Sequence, residues 1–124
     1  MKFVQTDKAP SAIGPYSQAV VANGIVYTSG QIALTPEGVM CEKDVKVQTK
    51  QVLKNLKSVL EAAGSSLDKV IKTTIFIDCM DDFTIINDIY ESEFGSHKPA
   101  RSTVAVKTLP KNALVEIDAI ALVE

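Results

Sequence analysis

The sequence has no tryptophan and only one histidine, His97. A lone histidine and two scattered cysteines, Cys41 and Cys79, do not make the ligand spacing of a zinc centre, so no metal site is expected. Nor is there the histidine pair that general acid-base cleavage of RNA commonly uses. A basic excess is also missing: 13 lysines and arginines face 15 acids, for a net charge of -2, so no dominant basic field is available to hold a nucleic acid. No segment approaches the roughly 20 apolar residues needed to cross a bilayer, and the first twenty residues contain no apolar core of a signal peptide. Those absences point to a cytoplasmic protein with free thiols and no membrane partner. Repeats, low-complexity tracts and linkers are absent too. At 46% hydrophobic the chain can fill one real core, and residues 1–124 are read as a single domain.

What is present is a regular alternation of signals. "SQAVVANGIVYTSGQIAL" sets Asn23-Gly24 between two β-rich runs, the chemistry of a type I′ hairpin. From Val45 the apolar period lengthens: Val45, Val52, Leu53, Leu56, Val59, Leu60 and Ala63 share a helical stripe, with Asp44 as N-cap and Gly64 as the stop. Lys46, Lys50, Lys54 and Lys57 form a second stripe, expected to face solvent. "KVIKTTIFI" is a strand rich in β-branched residues. A second helix is expected through Phe83, Ile86, Ile89, Tyr90 and Phe94, capped by Asp81 and stopped by Gly95. "RSTVAVKT" and "ALVEIDAIALVE" follow as strands joined by "LPKN". The order ββ-α-β-α-ββ predicts an α+β fold, a sheet with two helices packed on one face.

The last strand poses a problem. Glu116 and Asp118 lie two apart on an otherwise apolar run, so they share a face, where burial would penalise both. If the last two strands pair as a hairpin, Arg101, Thr103 and Ala105 join the acids on the face away from the helices. Val104, Val106, Val115, Ile117, Ala119 and Ala121 then form the face beneath the helices. An arginine and two acids among Leu114, Ile120 and Leu122 suggest either a structural ion pair or a polar pocket at a subunit interface.

In order along the chain stand "IGPYSQAV", "TSGQIAL", "AAG", "VIKTTIFI", "PARSTVAV", "LPK" and "VEIDAIA". Together they resemble the RidA (YjgF/YER057c) family of reactive-intermediate deaminases over nearly the whole chain. The resemblance implies a chorismate-mutase-like α+β domain with a mixed sheet. It also implies a homotrimer with intersubunit sites and hydrolysis of 2-imino acids, such as 2-iminobutanoate and 2-iminopropanoate, to 2-keto acids and ammonia. It implies neither cofactor nor metal. Arg101 would grip the substrate carboxylate with its planar fork, and Glu116 would hold and polarise the attacking water. Tyr16, Ser29, Gly30, Asn87 and Thr103 match further pocket positions. Their simpler roles are a packed loop anchor for Tyr16, a strand-end turn for Ser29 and Gly30, and a solvated helix residue for Asn87. Thr103 stands where the best-known members carry cysteine, so no thiol-dependent step is expected. Two rival functions remain open: a non-enzymatic sensor of keto acids that uses the same Arg101 pocket, and a ribonuclease that inhibits translation, which the net charge and the lack of a histidine pair disfavour.

Overall fold

Asn23 and Gly24 both take left-handed backbone angles, φ 52° and 75°, which an Asn-Gly pair accepts with little strain. In the computed structural model, which describes residues 1–124, they close strand β2 (Ala19–Ala22) onto β3 (Ile25–Thr28). The first strand, β1 (Lys2–Val4), pairs with β2 and is too short for alternation to reveal it in the sequence. Helix α1 (Val45–Ala62) begins at Asp44, whose side chain accepts hydrogen bonds from the Lys46 and Val47 amides. Val52, Leu53, Leu56, Val59 and Leu60 are fully buried on its inner stripe, and the four lysines face solvent. Two buried polar residues interrupt that stripe and tie loops to it: the Asn55 amide donates to the Ile32 and Leu34 carbonyls, and Gln48 accepts from the Leu114 amide. Buried amides need such partners, and here the partners are loop backbone that would otherwise be unpaired.

Strand β4 (Val70–Ile77) leads through a 3-10 turn at Met80–Asp82 into α2 (Phe83–Phe94). The helix is preceded by Asp82, not Asp81, and no side chain caps it. The turn accounts for this: the Asp82 amide bonds the Cys79 carbonyl, so Asp81 is wound into the turn before the helix begins. Gly95, at φ 62°, ends α2 as expected. No helix is long and apolar enough to cross a membrane.

The two final strands, β5 (Ala100–Ala105) and β6 (Val115–Leu122), do not pair with each other. The sheet order is β1-β2-β3-β6-β4-β5, so β4 lies between them. The reason is topological. Helix α2 carries the chain back alongside β4, and β5 then runs parallel to β4 as a crossover strand on the sheet edge. The Leu109–Asn112 segment crosses to the sheet centre, where β6 pairs antiparallel with both β3 and β4. A strand this apolar gains most from a central place, with both edges hydrogen-bonded and one face buried.

This order overturns the face assignment. Arg101 and Thr103 lie beside Thr73 and Ile75, whose side chains are buried on the helix side. Glu116 and Asp118 lie beside Phe76 and Thr74, on the opposite side. Val104 likewise moves to the outer face, where it is exposed, while Val115, Ile117, Ala119 and Ala121 are buried under the helices as expected. The core is one cluster between sheet and helices, including Leu53, Leu56, Ile75, Ile77 and Ile117. The outer face keeps large apolar side chains in the open: Phe3, Tyr27, Val104 and Leu122 are each more than two-fifths exposed.

Candidate active site

Glu116 borders a cleft of about 570 Å³, with Tyr16, Ser29, Gly30, Gln31 and Lys111 among its lining residues. A β-bulge shapes the cleft. Tyr27 pairs with Ile120 and Gln31 with Ile117, so β3 and its extension advance four residues where β6 advances three. The extra residue falls at Ser29-Gly30, directly beside the carboxylate. Glycine is required there by contact: a Cβ on Gly30 would stand 2.7 Å from Glu116 Cδ and 3.0 Å from its Cγ. The loop carrying Tyr16 is held over the cleft by two anchors. Gln18, 2% exposed, donates to the Pro10 and Thr6 carbonyls and accepts from the Thr6 amide. Ser29 Oγ donates to the Ser17 carbonyl at 2.5 Å. The Ser29 hydroxyl proton is therefore committed to the loop, while Tyr16 itself is exposed at the mouth.

Burial pushes the Glu116 carboxyl above the usual carboxylate range, and the neighbouring Asp118 charge pushes the same way. Asp118 is also raised by burial; Thr74 across the ladder and the Lys72 charge oppose that rise. Asp118 thus meets its compensating groups within its own sheet, and Glu116 meets none. A carboxylate raised toward neutrality beside an open cleft is better matched to proton transfer than an ordinary surface acid.

Arg101 lies elsewhere, at the edge of the sheet under α2. Its Nη1 donates to Asn87 Oδ1 at 2.8 Å, and its guanidinium carbon sits 5.0 Å from the centre of the Tyr90 ring and 5.5 Å from that of Phe83. A shallower cleft of about 370 Å³ opens beside it, bordered by Asn87, Tyr90 and Lys98. Thr103, two residues along, has a buried hydroxyl with no hydrogen-bond partner. That hydroxyl is an unpaired polar group inside the fold and lowers stability.

The residues singled out in the sequence therefore form two groups. Tyr16, Ser29, Gly30 and Glu116 converge on one cleft; Arg101 and Asn87 border another, and Thr103 follows two residues after Arg101 on the same strand without lining either cleft. Arg101 and Glu116 are on opposite faces of the sheet and two strands apart, so the expected meeting of the two within one face does not occur. Asn87 is not merely solvated: it borders the Arg101 cleft and its Oδ1 accepts from the arginine. Sequence reasoning missed Gln18, because glutamine is mostly exposed and nothing local in the sequence shows that its amide is buried among backbone partners. It also missed Lys111, which holds a left-handed φ of 55° at the rim of the Glu116 cleft. No three His, Cys, Asp or Glu side chains converge as a metal-binding cluster.

The sequence profile of the endoribonuclease L-PSP family matches residues 6–123. The chain belongs to that family. The motifs that resemble RidA proteins are thus carried in a chain of the same family throughout. It is 44% identical to the 2-iminobutanoate/2-iminopropanoate deaminase of Salmonella typhimurium, over 98% of this chain and 97% of that one. The fold superposes on RidA from an Antarctic Psychrobacter with a TM-score of 0.95 at 40% identity, covering 99% of this chain and all of the other. It matches the Escherichia coli TdcF structure with bound serine at a TM-score of 0.95 and 42% identity, with both chains fully covered.

Proposed function

We propose that the protein hydrolyses 2-imino acids to 2-keto acids and ammonia in a homotrimer, at sites that pair the Arg101 edge of one subunit with the Glu116 cleft of its neighbour. The observation that carries this reading is the separation of the two groups. Each has half of an imino-acid site, open to solvent, and only a second copy of the chain can bring them together. The exposed apolar side chains of the outer face are the kind of surface that such an assembly would cover. The 44% identical Salmonella deaminase and the serine-bound TdcF support a small amino-acid-like ligand.

The chemistry follows from the side chains. Asn87 occupies Nη1 of Arg101, and the rest of the planar fork receives the substrate carboxylate. Tyr16 and Gly30 border the bound molecule on the Glu116 side and Thr103 on the Arg101 side, where its own hydroxyl is buried. Glu116 takes a proton from water as the oxygen adds to the imine carbon. The imine nitrogen is already protonated when water adds, so addition gives a neutral carbinolamine; the proton held by Glu116 then passes to the nitrogen, and as the C–N bond breaks the hydroxyl gives its proton back to Glu116, ammonia leaves and the carbonyl forms. Water and two side chains suffice, and the threonine in place of cysteine removes nothing from the sequence of steps. A cytoplasmic setting, which keeps Cys41 and Cys79 reduced, fits this role. The ribonuclease alternative is not favoured: the sole histidine, His97, is engaged by the Val70 carbonyl at 2.7 Å.

Subunit complementation tests the proposal. Arg101→Gln and Glu116→Gln proteins, each inactive alone, are refolded together and assayed with 2-iminobutanoate generated in situ. In any mixed trimer one site of three combines an intact arginine with an intact neighbouring glutamate, so a random equal mixture recovers about a quarter of wild-type activity. No recovery, or a monomer by light scattering, would overturn the intersubunit site. Wild-type protein that binds 2-ketobutanoate without turning over the imine would make it a sensor instead.

A further inference from the structure

Arg101 stands on an edge strand and is exposed, yet its guanidinium is held by three residues of α2. The enclosing residues Phe83, Asn87 and Tyr90 are spaced four and then three apart, which places them on one helical face. Asn87 Oδ1 accepts one guanidinium N–H, and the two aromatic rings lie within cation-π range at 5.5 and 5.0 Å. Tyr90 is itself fixed at both ends. Its ring stacks on Phe94 at 4.4 Å, and its hydroxyl pairs with Thr73 Oγ1 at 2.7 Å in the interior. Thr73 is the ladder partner of Arg101. The ring beneath the guanidinium is therefore anchored to the strand residue beside that same arginine, a closed circuit of sheet pairing, hydrogen bond and ring face.

We propose that Tyr90, with Phe83, is a positioning residue for Arg101, its ring face holding the guanidinium plane ready to receive a carboxylate. This rests on the reading of Arg101 as the carboxylate-binding group. A free arginine side chain samples many rotamers and loses them on binding. A guanidinium already clamped over two rings and tied to Asn87 has lost most of them before the ligand arrives. The rings act through Arg101 and not on the reacting carbon, so their effect should fall on binding and spare the chemical step.

The test uses the assembled protein with Tyr90→Leu, Tyr90→Phe and Phe83→Leu, read by 2-ketobutanoate affinity, by KM and kcat in the imine assay, and by the NMR signals of the Arg101 side chain. Tyr90→Leu removes the ring face and should weaken the keto acid and raise KM about five- to thirtyfold, with kcat changed less than about twofold. Tyr90→Phe loses only the Thr73 bond; it should be less stable, yet it should restore affinity to within about threefold of wild type. Ring-current displacement of the Arg101 side-chain protons should persist in Tyr90→Phe and vanish in Tyr90→Leu. Should Tyr90→Leu fail to fold, Phe83→Leu, at a half-buried position, carries the same test with the same sign. Wild-type affinity in a folded Tyr90→Leu, or equal losses in the Phe and Leu variants, would overturn the proposal. If Arg101→Gln bound the keto acid normally, the carboxylate reading would fall, and the ring-current comparison would still decide whether Tyr90 holds the guanidinium.

Discussion

Gly30→Ala adds a single carbon, and the structure specifies where it goes. The new Cβ would lie 2.7 Å from Glu116 Cδ, and real Cβ atoms essentially never approach a heavy atom within 3.0 Å. Restoring ordinary carbon contact, about 3.5–4.0 Å, requires the carboxyl group to move by roughly 1 Å. The atoms in the way are the far end of a half-buried side chain, so the chain can yield by rotating Glu116 instead of distorting β6. Stability should therefore fall by no more than the low end of the overpacking range, about 1 kcal/mol. Catalysis should suffer far more. A base displaced by about 1 Å from its water costs on the order of 10²-fold in kcat/KM, and 2-ketobutanoate binding through Arg101 should survive. Thermal unfolding, calorimetric binding and the imine assay on one protein sample separate the three effects. Wild-type turnover in Gly30→Ala would refute the placement of Glu116 as the water-holding group. A large loss of stability would show that the strand, and not the side chain, absorbs the added carbon.

Arg101→Lys keeps the charge but loses the planar fork, and kcat/KM should drop by roughly 10²-fold or more, whereas assemblies that fall apart with unchanged activity per intact trimer would make Arg101 a structural residue. Because burial raises the Glu116 pKa, the folded state holds that proton more tightly than the unfolded chain does. Its stabilising contribution is present below the unfolded pKa and lost as pH rises through the folded one. Glu116→Gln should therefore match wild-type stability in acid and exceed it increasingly toward neutral pH while turnover falls about 10²-fold; a stability difference independent of pH would refute this. The acid limb of wild-type kcat/KM should correspondingly lie above the ordinary carboxylate range, as a pH-rate profile would reveal. Thr103→Val replaces an orphaned buried hydroxyl with an isosteric methyl, so the fold should be as stable or up to about 1–3 kcal/mol more stable by thermal unfolding, and a loss of stability would refute this. Thr103→Cys should keep turnover within about tenfold, roughly 1.4 kcal/mol in the barrier.

Local chemistry was legible in the chain alone. Asn23-Gly24 specifies its turn because two adjacent residues accept positive φ, and Asp44 caps α1 because its carboxylate reaches amides two and three residues on. Arg101 and Glu116 could be chosen from their side-chain chemistry and from the motifs around them. Where they stand could not. Whether two strands joined by four residues form a hairpin depends on what else competes for the edge, and here β4 takes the place beside β6. That one insertion moves Arg101 to the helix side, while Glu116 stays on the outer face. Asp81 lost its capping role because a tertiary turn wound past it, and the grip of Asn87 and Tyr90 on Arg101 needs α2 folded back over β5. Periodicity and capping arise within a few residues and can be read from order alone. Strand neighbours, sheet faces and clefts are settled by burial across tens of residues, and only the packed chain decides them.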